Sequence, residues 1–207
     1  AVVLACGFAA YAFASTLLLP HPSWLLLLGT AGGAYLVRFR VSQPTRAWHD
    51  GARGERATAR LLRRLERDGY TVLHDVAVPG SRANIDHLVI GPAGVFVIDS
   101  KRYRGHVTQS PDGMVWHGRQ ALAQTLATVW WEAGQVAQAL QTAPQVPVTP
   151  VLVIHRARVA WGGLWCAGVA IVPPNVLLEV LRADPVLPAE VVGRLADDAT
   201  SQLRPAA

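Results

Sequence analysis

Apolar positions follow two regimes along the 207-residue chain. From Ala1 to Val37 they dominate without a period, and no residue there carries a formal charge. Ala1 to Leu19 is a 19-residue uncharged run. As a helix it is about 28 Å long, close to the ~30 Å of a hydrocarbon core. Pro20, His21 and Pro22 break it, and a second run of 15 residues, Ser23 to Val37, follows. That run spans only if Arg38 and Arg40 snorkel or the bilayer thins. The pattern predicts a transmembrane helical hairpin over residues 1–40. A signal peptide plus one anchor competes with it, but no charged segment precedes the first run and no clear small-residue cleavage site ends it.

Beyond Arg38 the apolar positions become periodic. Gly54 to Asp68 has helical spacing, with Leu61, Leu62 and Leu65 on one side, Arg56, Arg60, Arg63, Arg64 and Arg67 on the other, and Gly69 as the stop. Strands are predicted at Tyr70–Val78, Asn84–Ile90 and Gly94–Lys101, then a short hairpin around Val107 and Val115. Arg119–Leu140 reads as a long helix, Val148–Ile154 and Ala167–Val172 as strands, and Asn175–Arg182 and Pro188–Leu203 as helices. This order predicts an α/β fold of the α+β type, a mixed sheet flanked by helices. Residues 41–49, with Pro44, are the expected linker and residues 50–207 the expected domain.

Composition adds constraints. At 51% hydrophobic and 16% charged the chain is too apolar to be disordered. The net charge of +5 is uneven: Asp50 to Gly105 holds ten basic and seven acidic residues, His106 to Ala207 six and seven. Such a surplus favours phosphate or anionic lipid without establishing nucleic-acid binding. Arg38, Arg40, Arg46 and Arg53 follow the second apolar run, whereas the Pro20–Pro22 turn has no Lys or Arg. By the positive-inside rule the domain faces the cytoplasm from the inner membrane. Two cysteines, Cys6 and Cys166, are too few for a thiolate zinc site and too differently placed for a structural disulfide. Neither a P-loop nor a Gly-x-Ser-x-Gly elbow is present.

The turn signal Gly91-Pro92-Ala93-Gly94 joins the second and third strands. If Ile90 pairs with Val95, Asp86 falls opposite Asp99 on one face, with Cα atoms about 4.5 to 5.5 Å apart, and Lys101 shares that face. Opposed carboxylates destabilise a sheet unless positive charge lies between them. Hard oxygen donors without Cys or paired His favour Mg²⁺ or Mn²⁺ over zinc. Lys101 is the single Lys among 19 basic residues; its compact ammonium orients water near a metal better than a guanidinium does. The plainer alternative is an Asp99–Lys101 salt bridge at a strand edge. Glu55 sits off the arginine arc at the edge of the apolar stripe, where the helix dipole alone would also favour it.

Gly51-Ala-Arg-Gly54-Glu55, followed by Asn84-Ile-Asp86-His87-Leu-Val-Ile-Gly91-Pro92-Ala-Gly94-Val-Phe-Val-Ile-Asp99-Ser-Lys101, resembles the nuclease-related domain (NERD) family of the PD-(D/E)XK nuclease-like superfamily. The resemblance covers Asp50 to Ala143 well and the later strands loosely; the Ile-Asp-His to Asp-x-Lys spacing is its most specific part. It implies a restriction-endonuclease-like core in which Glu55 approaches Asp86 and Asp99 with Lys101 beside them. It also implies Mg²⁺-dependent hydrolysis of phosphodiesters in DNA or RNA. Asp86 and Asp99 are then the expected metal ligands, with Glu55 binding a water or second ion and Lys101 steadying the nucleophile or the developing phosphorane charge. The alternative is a non-catalytic module of the same fold that binds nucleic acid or protein at the membrane.

Weaker nucleic-acid candidates are Arg56, Arg60, Arg63 and Arg64, otherwise a solvated helix face. Gln124 is another; related domains often carry a Gln there, but the preceding Ala121-Leu122-Ala123 departs from the family's more polar approach. His87 alternates to the opposite face with Ile85 and Val89, where packing accounts for it. Trp130, Trp131, Trp161 and Trp165 offer stacking surfaces or serve as core or membrane-proximal aromatics.

Overall fold

The computed structural model describes residues 29–31, 51–78, 81, 83–140 and 146–203. The chain divides into two units, Ala1–Asp50 and Gly51–Ala207. Apart from a helical stretch at 29–31, the hairpin expected over residues 1–40 lies outside the described residues, as does the linker. Among the described residues no helix is long and apolar enough to cross a membrane.

Residues 51–66 are helical (α1), and the turn that ends them reaches Gly69 at φ 82°, as the sequence predicts. Three antiparallel strands follow: β1 (Thr71–Ala77), β2 (Asn84–Gly91) and β3 (Gly94–Gln109). The β2–β3 hairpin closes on Gly91 and Gly94 with Ile90 opposite Val95, the predicted register. Its glycines are required: Gly94 has φ 131°, and a Cβ on Gly91 would lie 1.9 Å from the Tyr70 ring.

β4 (Val115–His117) and β5 (Gln120–Ala121) form a small ribbon on the far end of β3, and α2 (Ala123–Ala139) then crosses to β6 (Val148–Val159), parallel to β3. β7 (Leu164–Cys166) and β8 (Val169–Val172) complete the sheet in the order β1-β2-β3-β6-β8-β7, and α3 (Pro174–Leu181) and α4 (Ala189–Gln202) end the domain. Alternating side chains give the sheet two apolar faces, each covered by helices. Leu62 and Leu65 of α1 and Leu177 and Leu181 of α3 pack on Val89, Ile98, Val151 and Val153. On the other face, Ala133 and Val136 of α2 and Val192 and Leu195 of α4 pack on Leu88, Ile90, Val95 and Val97. Each large buried aliphatic contributes about 1.5 to 3 kcal/mol.

Tertiary pairing alters four local expectations. Val107 continues β3, a single strand of 16 residues, because β6 runs beside it to Val159. The long helix starts at Ala123, since Gln120 and Ala121 pair with β4. β7 precedes the predicted last strand. Finally, strict alternation fails near Asp86. The β1–β2 ladder omits the Asp75–Asp86 pair, where Asp75 takes φ 50°. Ile85 consequently packs with Leu88 and Ile90 rather than sharing a face with Val89.

Candidate active site

α1 meets the sheet through Gly54, Thr58, Leu62 and Leu65, one helical stripe, all buried. Thr58 is its polar member. Ser100 Oγ donates to Thr58 Oγ1 at 2.8 Å, and Thr58 Oγ1 lies 2.8 Å from His155 Nε2. The threonine hydroxyl has one proton and two lone pairs, so it bridges Ser100 and His155, the direction at Nε2 following the His155 tautomer. Burial, with Arg102 adding to it, holds the His155 pKa below its usual value. This chain fastens α1 to β3 and β6 one turn from Glu55. Glu55 itself is half-buried, with Oε1 3.8 Å from where a Cβ on Gly51 would stand.

The β2–β3 ladder ends at His87 and Ile98, one pair short of the predicted Asp86–Asp99 opposition. Asp86 lies in the resulting notch. Its Oδ2 accepts the Ser100 N–H at 2.8 Å, replacing the β2 carbonyl that a continued ladder would supply. Asp99 is only 8% exposed, and Lys101 Nζ donates to its Oδ1 at 2.5 Å. Burial, then Asp99 and more weakly Glu55, push the Asp86 carboxyl up to about 8, against the opposing Ser100 N–H and Lys101. For Lys101, burial disfavours the ammonium, but the charge and hydrogen bond of Asp99, with help from Asp86, outweigh it and raise the pKa. Glu55, Asp86, Asp99 and Lys101 thus form one electrostatic group.

A fifth member escaped sequence reasoning. Glu132 on α2 is 7% exposed. Burial and then Asp99 push its carboxyl up to about 7, with Lys101 opposing. One signal was available: Glu132 falls three residues after Val129 in the otherwise apolar stripe of Leu122, Leu126, Val129 and Val136.

The weaker candidates are not gathered there. Gln124 is exposed near the start of α2, and Arg56, Arg60, Arg63 and Arg64 form an exposed face of α1. His87, 3% exposed, sets its Nδ1 2.8 Å from His74 Nδ1, with the rings edge to face. Burial and His74 push its pKa down to about 3, so the ring is neutral. The Glu55 carbonyl works in the other direction, yet among the described residues Nε2 has no partner of hydrogen-bonding geometry. Trp130, Trp131, Trp161 and Trp165 are exposed rather than core residues. Trp130 lines an apolar cavity of about 540 Å³ with Met114, Leu126 and Cys166.

Among the described residues no three Asp, Glu, His or Cys side chains converge into a ready cation cage. Asp86 is turned to the Ser100 N–H and Asp99 to Lys101. The donor chemistry nevertheless fits a hard divalent ion, because the candidate ligands are all carboxylates. Asp86 and Glu132 are raised chiefly by burial and secondarily by Asp99, and an ion bound beside them would favour their charged forms.

The fold is a mixed sheet flanked by helices, with acids and a lysine beside the point where β2 and β3 part. The nuclease-related domain model matches residues 50–155, and the chain belongs to that family. An uncharacterized protein of Bacillus anthracis is 39% identical over 69 residues, 32% of this chain and 32% of that protein. The match therefore spans about a third of that relative's length. No solved structure matches the chain.

Proposed function

We propose that the chain is a membrane-anchored nuclease that hydrolyses phosphodiester bonds in DNA or RNA with Mg²⁺ or Mn²⁺. The observation that carries this is the notch, where Asp86 and Asp99 share one field with Lys101 and Asp86 holds its proton up to about pH 8. Asp86 and Asp99 would hold the ion, with Glu132 and Glu55 on either side of them. The ion, when bound, supplies Lewis-acid stabilisation of charge on the phosphate oxygens. Lys101, once released from Asp99, would offer its ammonium to the developing phosphorane charge. The buried Ser100–Thr58–His155 chain keeps α1, and so Glu55, against β3. Residues 1–40 would anchor the domain in the inner membrane on its cytoplasmic side.

The test compares divalent-dependent cleavage of plasmid, single-stranded DNA and RNA by the full chain with that of Asp99→Ala and Lys101→Ala. Loss of cleavage by about a hundredfold or more in each variant is expected; equal activity, or equal inactivity, would remove the enzymatic claim. One observation favours a second reading, a non-catalytic binding module: Lys101 already neutralises Asp99. Inactivity of the unmodified chain together with retained oligonucleotide affinity would select that reading.

A further inference from the structure

The far ends of β3 and β6 carry charge of one sign. No Asp or Glu occurs between Lys101 and Asp112, nor between Glu132 and Glu179. The arginines of those two stretches, Arg102, Arg104, Arg156 and Arg158, meet because β3 and β6 pair in parallel, with Arg102 opposite His155 and His106 opposite Arg158. Arg104, His106, Arg156 and Arg158 are all exposed. By alternation Arg102, Arg104 and His106 share one face of β3. It is the face on which α1 lies, since a Cβ on Gly54 would touch Arg102 Cβ at 3.7 Å. The row thus begins one residue beyond Lys101, on the side from which Glu55 approaches Asp86.

The backbone here is irregular in a way that favours display. The register shifts between Arg102 and Gly105, so that Tyr103 and Arg104 oppose Arg156 alone. Arg156 takes φ 69° and Gly105 φ 91°. Glycine adopts the left-handed region far more readily than arginine, and an exposed arginine gains no burial in exchange. Bulges of this kind re-aim side chains beside active sites. The other face of β3 braces the bulge. Tyr103 stacks on His117 with centroids 4.3 Å apart, and His117 Nε2 donates to the Arg104 carbonyl at 2.7 Å.

We propose that Arg104, Arg156 and Arg158, with His106, bind the sugar–phosphate backbone of a nucleic-acid strand that runs along β3 to the Glu55 side of the acidic notch. The proposal rests on the nuclease reading of that notch. Charge complementarity selects a polyanion, and guanidinium forks suit phosphate oxygens. The row is linear and leads along β3 toward Gly54 and Glu55 of α1, on the face opposite the Asp99 and Lys101 side chains, and that layout selects a linear polymer over a lipid surface.

The test measures fluorescence anisotropy of the full chain with labelled single-stranded DNA, matched RNA and matched duplex, in EDTA, over a salt series. Arg104→Gln combined with Arg156→Gly is expected to weaken binding about tenfold and to flatten the plot of log affinity against log salt by about 1.4 for a single strand. Thermal melting should be unchanged or higher, because glycine relieves the left-handed strain that Arg156 bears. Unchanged affinity and slope would overturn the proposal. So would intact oligonucleotide binding with lost binding to phosphatidylserine vesicles, which would make the surface a lipid contact. Asp99→Ala separates the two claims. Lost cleavage with an unchanged salt slope supports both. If the unmodified chain cleaves nothing, the nuclease reading fails, while the slope difference still supports the phosphate surface.

Discussion

Asp86 and Glu132 are acids that the fold keeps protonated, with pKa values of about 8 and about 7 against 3.8 and 4.5 for the free side chains. Without a cation, the folded state binds more protons than the unfolded state across that interval, so stability falls as pH rises toward 8. His87 acts oppositely, because its pKa drops from 6.5 to about 3, so its neutral burial costs stability as pH falls below 6.5. Between pH 6.5 and 8 the carboxyls therefore dominate. Urea unfolding in EDTA should show a loss on the order of 1 kcal/mol across that window. Glu132→Gln should flatten this slope and stabilise the cation-free protein at pH 8, yet weaken Mn²⁺ binding in calorimetry. A steeper slope, or unchanged Mn²⁺ affinity, would place Glu132 outside the site. Spacing and type marked Asp86, Asp99 and Lys101 as candidates and the family resemblance added Glu55; Glu132 was not marked, because its partners belong to another element.

Thr58 shows how one element is tied to two others. Thr58→Val keeps the shape but leaves the Ser100 hydroxyl and His155 Nε2 without their partner. A buried unsatisfied pair of this kind costs about 1 to 3 kcal/mol. Denaturant unfolding should register that loss, and Thr58→Ser should recover most of it. Cleavage should fall in parallel and return with Ser, since the turn bearing Glu55 depends on the same contact. Equal stability of Thr58→Val and the unmodified chain would dismiss the linkage. Elements themselves were well marked in the sequence: α1 with its Gly69 stop, the Gly91–Gly94 hairpin, and α3 and α4 lie close to where periodicity predicts them. Their lengths were less so. β3 and β6 prolong each other by mutual pairing, which no local pattern encodes.

At the scale of the whole molecule, the proposed membrane attachment would rest on residues 1–40 and on the arginines that follow them. Ser42→Cys in intact cells should resist a membrane-impermeant maleimide and react only after permeabilisation; labelling from outside would reverse the orientation. A tether of this kind would keep a nuclease domain near the bilayer and confine its substrates to nucleic acid that reaches the cytoplasmic surface.

Periodicity and turn residues determined by themselves that this chain builds a mixed sheet between helices, and spacing pointed to Asp86, Asp99 and Lys101 as one candidate group, to which only the family resemblance added Glu55. Such signals are local: they report which side of an element is buried and where the backbone must turn. Tertiary structure alone decided that β2 and β3 separate at Asp86, that Glu132 joins the acidic group from α2, and that Arg104 and His106 come opposite Arg156 and Arg158. Those outcomes depend on how distant segments pack and pair, and on the desolvation and repulsion that arise only once they have done so.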